Sequence, residues 1–422
     1  MLKLKRSKII CSIIIVIYLL LLVYIGACLV KNNLDVKSDL GMGIKIIYLA
    51  MIVVMICMYM ILKKRLINKI ASTRLVNLYK YIYFAVVTLV SRICLVYVYS
   101  GREVEPIVPS YSKGLGSYLT KFLNMIIDNA EFTNILINTV ITFIVVLLIK
   151  NILLNITKSD FLSSLAAIAY IFLPESMYFV TEYNRYNFNL LFVLSGVALL
   201  IHIIDMVKQY KLKSLKYIYM SILLAIIASF DIILGGSYLF WILLVGILSA
   251  AATYIDIAHI SFGQRVKSKV SFKISKLLYR LEQTNFSKLI NTTLIVIGIC
   301  GITTLILNLI TSTNNFITYS SVSAIANKLI EVLAVSRNYY LVLIISIVLF
   351  EIVGILLKRK LDIKMICIKI LNILVIFLML ISRDLTYTAT IFDVTLILLL
   401  ASNICNIYYN REEKIKLLKE KN

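Results

Sequence analysis

Long apolar runs constrain the fold of this chain more than any other feature. They recur from one end of the sequence to the other, and about twenty apolar residues in a row can cross a hydrocarbon core of about 30 Å as a helix. Charged residues make up only 15% of the 422 positions, whereas about a quarter of the residues are charged in soluble domains. The sequence therefore predicts an all-α, polytopic transmembrane helical bundle without a soluble domain.

The apolar runs predict twelve membrane spans. Their approximate bounds are 9–30, 44–62, 80–99, 132–149, 161–180, 188–207, 216–233, 236–256, 289–310, 339–357, 364–382 and 386–408. Most Lys and Arg residues fall in segments that face the cytoplasm if the N-terminus lies inside, as the positive-inside rule requires. We therefore expect a multi-pass protein of the cell membrane with cytoplasmic N- and C-termini. This placement explains the net charge of +23 without a nucleic-acid partner and favours contact with anionic membrane lipids.

An acidic loop and an amphipathic segment follow the third predicted span, on the outer face. The loop "SGREVEPIVPSYSKG" carries Glu103 and Glu105, whose carboxylates could hold a divalent cation or supply a general base. The alternative is a solvated acidic loop without chemistry. Residues 115–128 repeat apolar side chains at i, i+3 and i+4, which predicts an amphipathic helix lying on the outer leaflet.

A second polar segment separates two apolar runs on the same face. The stretch "FLPESMYFVTEYNRYNFNLLF" carries Glu175, Glu182, Tyr183 and Arg185. Glu182 and Arg185 are three residues apart at the beginning of a predicted helix, so they share a face. In one interpretation Arg185 binds a lipid phosphate, for which a guanidinium is well shaped, and Glu182 orients that residue or the acceptor. In the other, the two form an ion pair within an interfacial belt of tyrosines.

The order of these segments resembles the GT-C class of integral membrane glycosyltransferases, and more narrowly its mannosyltransferase and aminoarabinose-transferase-like members. The similarity is best over residues 134–200, in "NILINTVITFIVVLLIKNILLN", "LSSLAAIAYIFLP" and "YFVTEYNRYNFNLLFVLSGVALL". Members of the class show an Asn-bearing span, a short inside turn, an Ala-rich span ending in Pro and an acidic residue before the next span. Glu182 takes that acidic position.

The resemblance implies a chemistry. The donor would be a lipid-linked sugar carried on a polyprenyl phosphate, and the reaction would take place on the outer face with inversion at the anomeric carbon. The class uses an aspartate in the first large outer loop as general base, and Ser112 stands at that position here. Glu103 or Glu105 is the substitute base, with Glu182 as the third candidate catalytic residue. The candidate substrate-binding residues are Arg185, Glu175 and Tyr183.

Three regions follow from this interpretation. Residues 1–100 form an N-terminal three-span region, and residues 101–260 form the GT-C-like core with its outer acidic loop and interfacial helix. Residues 261–422 form a C-terminal helical region with a basic cytoplasmic loop and tail. No residue is assigned as a metal ligand, and the one possible cofactor is a divalent cation at Glu103 and Glu105. The sequence does not specify the oligomeric state.

Two other functions are compatible with the sequence. One is a transporter or flippase of a lipid-linked saccharide, which would predict paired halves and broken helices near mid-membrane; the sequence shows no internal repeat. The other is a non-catalytic GT-C-like membrane protein, which the serine at position 112 favours.

Four charged residues fall inside predicted spans, where they are costly unless they are paired. Glu351 and Lys369 lie at similar depths on two spans joined by the short turn "KRKLDIK". We therefore expect an ion pair between them. Arg92 and Asp393 lie at similar depths below the outer membrane boundary, which makes them a second candidate pair.

Overall fold

The fold is built from α-helices throughout the part of the chain that the structure describes. This computed structural model describes residues 81, 82, 84–89, 91 and 92, and then 115–157, 160–171, 185–208, 214–263, 286–311, 337–356, 363–381, 390–404 and 407. The labelled helices are α1 (Leu115–Ile127), α2 (Ala130–Thr157), α3 (Asp160–Ile171), α4 (Arg185–Lys208), α5 (Ser214–Ile233), α6 (Tyr238–Gly263), α7 (Phe286–Thr311), α8 (Arg337–Leu356), α9 (Ile363–Ile381) and α10 (Thr390–Ile404). The described residues between 81 and 92 are also helical, and no strand occurs in these ranges.

Four of the described helices are long and apolar enough to cross a membrane. Their apolar parts are Ala130–Thr157 in α2, Tyr186–Met206 in α4, Lys216–Ile233 in α5 and Leu289–Leu309 in α7. Helices are expected in lipid because a helix satisfies its own backbone hydrogen bonds. The prediction of a helical membrane protein is thus confirmed. Twelve spans remain a prediction, since spans 9–30 and 44–62 lie outside the described residues.

The bounds of the helices differ from the predicted spans mainly at their ends. Helix α2 has 28 residues, which at 1.5 Å per residue gives about 42 Å. This length exceeds the hydrocarbon thickness, so its ends reach beyond the apolar layer or the helix tilts. Helix α3 ends at Ile171, whereas the predicted span continues to residue 180; residues 172–184 lie outside the described part of the chain.

Helices α5 and α7 are the most extensively packed pair, and hydroxyl groups line their interface. Tyr217 Oη and Ser221 Oγ of α5 both hydrogen-bond to Thr292 Oγ1 of α7, the serine at 3.1 Å. Further along, Thr303 Oγ1 donates to Ser229 Oγ at 3.1 Å. Lipid tails are as apolar as the helix surfaces, so apolar contact alone does not favour helix association in a membrane. Small and hydroxylated side chains let two helices approach closely and hydrogen-bond to each other, which does favour it.

One end of the bundle is held by a lysine that joins three helices. Lys364, at the beginning of α9, lies 3.2 Å from Asp205 Oδ2 near the end of α4. Its Nζ also donates to the main-chain oxygen of Asn155, near the end of α2, at 3.3 Å. We call this the Lys364 end. It fixes α9 to α2 and α4.

Helix α10 is the most completely enclosed of the described helices. Every residue from Thr390 to Ile404 is buried. Asn372 of α9 donates to Thr395 Oγ1 of α10 at 3.1 Å, and this hydrogen bond joins two polar groups that would be costly to bury alone. The burial of α10 thus includes polar side chains, among them Asp393 and Asn403.

The ion pair predicted between Glu351 and Lys369 is confirmed. Lys369 Nζ lies 2.8 Å from Glu351 Oε1 and 2.9 Å from Oε2, so α8 and α9 are joined by a bidentate contact. Arg92 is buried and donates from Nη2 to Thr142 Oγ1 of α2 at 3.0 Å. The second candidate pair, Arg92 with Asp393, stays a prediction.

Candidate functional site

Most of the residues predicted to form the site lie outside the described part of the chain. These are Glu103, Glu105, Glu175, Glu182 and Tyr183, and Ser112, at the position of the class's aspartate base, lies outside it as well. Arg185 is the exception, because its backbone forms the first residue of α4. The catalytic and substrate-binding assignments therefore stay predictions, and the same holds for a divalent cation at Glu103 and Glu105. The described residues do show the framework around the beginning of α4.

Helix α1 is joined to α2 by a two-residue turn with specific cap geometry. Asp128 has a φ of 55°, a left-handed conformation that Asp tolerates better than most residues and that commonly terminates a helix. Asn129 then caps α2, since its Oδ1 accepts from the amide of Phe132 at 2.9 Å. Thr133 Oγ1 lies 3.3 Å from Asn124 Oδ1. These contacts place the end of α1 against the first turn of α2.

The predicted amphipathic helix exists, and its apolar face points away from the protein. Phe122, Met125 and Ile126 of α1 are exposed by 60%, 70% and 68%. Ser117 and Thr120 are buried on the opposite side, where α1 packs on α2 and α4. Apolar side chains outside and polar ones inside are the arrangement expected for a helix whose outer surface meets lipid.

Buried amides occupy the first turns of α2 and α4. Asn134 and Asn138 of α2 and Asn187 of α4 are each less than 5% exposed. Asn187 Nδ2 donates to Asn138 Oδ1 at 3.1 Å. One turn further along α2, Thr142 accepts from Arg92. Positions 134, 138 and 142 are four residues apart, so their side chains form one polar stripe on α2.

A buried carboxylate joins three helices at the same end. Asp231, near the end of α5, is fully buried. Its Oδ1 accepts from Asn189 Nδ2 of α4 at 2.8 Å, and its Oδ2 accepts from Trp241 Nε1 of α6 at 2.9 Å. We call this end of the bundle, with the beginnings of α2, α4 and α6 and the end of α5, the Asp231 end.

The turn between α5 and α6 is shaped around this carboxylate. Gly235 has a φ of 94°, a conformation that glycine adopts without steric cost. The amide of Gly236 donates to the main-chain oxygen of Asp231 at 2.8 Å. A Cβ atom at Gly236 would overlap Asp231 Oδ2. Gly235 and Gly236 thus allow the chain to pass directly beside the carboxylate.

Sequence reasoning missed most of the Asp231 end. It assigned no role to Asp231, Asn187, Asn189 or Trp241. A signal was present, because Trp241 is the single tryptophan of the chain and follows "GGS" closely. A tryptophan at a span end predicts an interfacial belt residue; here it is fully buried.

The described helices carry buried polar side chains both near their ends and along their interfaces. Amides and carboxylates can hydrogen-bond to hydroxyl groups and an arginine can bind phosphate; the buried carboxyl groups in the described ranges are those of Asp231 and Asp393. No group of three or more His, Cys, Asp or Glu side chains in the described ranges is arranged to hold a metal ion. Comparisons with models of protein families, with curated proteins and with solved structures find no match.

Proposed function

We propose that the protein is a glycosyltransferase of the cell membrane that uses a polyprenyl-phosphate-linked sugar on the outer face to modify an envelope glycan. In this proposal the chain crosses the membrane twelve times, both termini are cytoplasmic and the Asp231 end faces outward. The distribution of Lys and Arg along the sequence supports that orientation. The resemblance of residues 134–200 to GT-C enzymes supports the activity.

The position of α1 is the observation that carries this proposal. Its exposed apolar face suits the outer leaflet, and its buried polar face packs on α2 and α4. Helix α4 begins with Arg185. A lipid carrier whose tail lies along α1 in the leaflet would therefore bring its phosphate to the level at which α4 begins. This is the location that a donor-binding arginine requires.

The proposed reaction is a single displacement. Glu103 or Glu105 takes the proton of the acceptor hydroxyl. The acceptor oxygen forms a bond to the anomeric carbon, and the bond from that carbon to the phosphate oxygen breaks. The polyprenyl phosphate leaves with the electron pair, held by Arg185. Glu182 orients Arg185 or the acceptor, and Glu175 and Tyr183 contact the substrate at the headgroup level.

The release of polyprenyl phosphate tests the proposed activity. Membranes containing the protein are incubated with a panel of polyprenyl-phosphate hexoses, and free polyprenyl phosphate is measured by mass spectrometry. We expect release by the native protein. Of the two variants Glu103→Gln and Glu105→Gln, the one that removes the general base should release the phosphate at least about a hundredfold more slowly, as is usual for loss of a general base. Glu182→Gln should also abolish release.

A matched control separates these effects from a general loss of outer charge. Glu131→Gln changes a carboxylate in the first turn of α2, at the Asp231 end but outside the proposed site, and should release polyprenyl phosphate at the native rate. If the native protein moves the donor across vesicles without releasing the phosphate, the protein is a flippase. If it does neither with any donor of the panel, it is a non-catalytic relative.

Cysteine labelling tests the proposed orientation. Ile70→Cys and Val270→Cys place a thiol in two predicted cytoplasmic segments, in a background without the native cysteines. A membrane-impermeant maleimide added to intact cells should leave both unlabelled. Labelling of either position from outside would overturn the twelve-span scheme.

A further inference from the structure

We propose that Asp231 is a positioning residue that sets the rotation and depth of the beginning of α4, and through it the place of Arg185. The inference rests on the proposed function, because it concerns the residue assigned there to the lipid phosphate. It concerns a different group, however, since Asp231 lies on α5 and belongs to no predicted site.

Two contacts on one face of α4 carry the inference. Asn189 donates to Asp231 Oδ1 at 2.8 Å and also to the main-chain oxygen of Asp231 at 3.1 Å. Gly196, seven residues later, is covered by the indole of Trp241, because a Cβ atom there would come within 2.6 Å of Cζ3 of that ring. Positions seven residues apart lie on the same helix face. Asp231 and Trp241 therefore contact α4 twice along one line.

The two contacts are coupled through one hydrogen bond. Trp241 Nε1 donates to Asp231 Oδ2 at 2.9 Å, so the group that holds Asn189 also orients the ring that covers Gly196. A helix held at two points on one face can neither rotate about its axis nor slide along it without breaking one contact. Interiors are close-packed, so such a constraint extends to the neighbouring turn.

Arg185 stands one turn before Asn189. The four-residue spacing places both on the same face of α4, so the rotation of α4 that the hydrogen bonds of Asn189 hold is also the rotation of the backbone at position 185. The α5–α6 turn restricts the carboxylate. The amide of Gly236 donates to the Asp231 main-chain oxygen at 2.8 Å, and Gly236 lies so close to the carboxylate that a Cβ atom there would overlap Oδ2. The constraint thus originates in the α5–α6 turn and ends at the first turn of α4.

Hydrogen exchange tests the constraint independently of any substrate. Asp231→Asn keeps the size of the side chain but presents an amide donor to at least one of the two existing donors. We expect faster exchange in peptides covering residues 188–196 and unchanged exchange in residues 200–208 of the same helix. Ser229→Ala is the matched control, because it removes a hydroxyl of α5 that contacts α7 instead of α4. Exchange in residues 188–196 that is equal in native protein and Asp231→Asn would overturn the inference.

A swap variant separates positioning from general destabilisation. In Asp231→Asn combined with Asn189→Asp, the amide at 231 can donate to the carboxylate at 189 and accept from Trp241. We expect the swap to restore slow exchange at the beginning of α4 relative to Asp231→Asn alone. If both variants exchange equally fast over residues 188–196, the specific hydrogen bond is not what holds the helix.

Ligand binding completes the test. Trp241 is the only tryptophan, so its fluorescence reports on this contact directly in a titration with polyprenyl phosphate in detergent micelles. We expect about tenfold weaker binding by Asp231→Asn, the size that the loss of a hydrogen bond to a charged group gives, and native affinity for Ser229→Ala. Native affinity in Asp231→Asn, despite faster exchange, would refute the link to Arg185. Absence of binding by the native protein would refute the proposed function, while hydrogen exchange would still decide on the constraint.

Discussion

Replacing Glu351 by Gln should destabilise the protein through the charge that it leaves behind. Lys369 lies 2.8 Å from Glu351 Oε1, and by the helical rise both residues lie roughly 8–10 Å inside the inner boundary of the proposed topology. An uncompensated charge at the centre of a span costs about 3 kcal/mol on insertion scales. This pair is shallower, and each side chain is about one-quarter exposed, so an extended lysine can reach more polar surroundings. We therefore expect a loss of roughly 1–2 kcal/mol.

A double-mutant cycle isolates the pair from the two separate side chains. Lys369→Gln should cost a similar amount, because it leaves the carboxylate alone. The double variant Glu351→Gln with Lys369→Gln contains no unpaired charge, and its two amides can hydrogen-bond to each other. We expect it to be less destabilised than the sum of the single variants by roughly 1 kcal/mol or more, as for residues in direct contact.

Unfolding in mixed micelles of increasing SDS content, followed by circular dichroism, measures these free energies. Lys216→Gln is the control, since Lys216 is exposed on α5 and such surface substitutions usually change stability by about 0.5 kcal/mol or less. If the free energies of the single variants add in the double variant, the observed contact contributes no coupling energy, and the argument from burial and pairing is wrong.

Two further predictions concern close contacts between helices. Gly196→Ala should destabilise the protein by about 1–3 kcal/mol, because its Cβ would overlap the indole of Trp241. The control Gly246→Ala, whose Cβ would meet no atom within 4 Å, should not destabilise it. Equal effects of the two substitutions in SDS unfolding would contradict this prediction. Thr142→Val removes the acceptor of Arg92 Nη2 and should cost about 1–3 kcal/mol. Thr139→Val, which loses only a hydrogen bond to its own helix, should cost less, and the reverse order would refute the role of Thr142.

The helices of the described part could largely be predicted from the sequence, because the information for them is local. Continuous apolar runs specify a helix in lipid whatever its neighbours are, and the spacing of Leu119, Phe122 and Ile126 specified the amphipathic helix α1. The Glu351–Lys369 pair was also predictable. Its two spans are joined by a short turn, which brings residues of similar depth together.

The Asp231 end could not be predicted in the same way. Asn189, Asp231 and Trp241 meet only if α4, α5 and α6 have particular rotations about their axes, and almost uniformly apolar helices show little periodicity from which a rotation could be inferred. The hydroxyl groups between α5 and α7 present the same difficulty. Ser and Thr can bond to their own helix or to a neighbour, and the sequence does not state which helix is the neighbour.

The burial of α10 has a consequence for the order in which the protein is made. Helices α1 to α9 leave the ribosome before Thr390–Ile404 does, yet that segment fills a position enclosed on every side. The groups that pack against this segment, Asn372 of α9 among them, therefore reach their final packing only after α10 has been made. Asn372 lacks its Thr395 partner until then. Final packing is thus a late event in biosynthesis, and a nascent chain stopped before residue 390 would hold inserted helices without a finished interior.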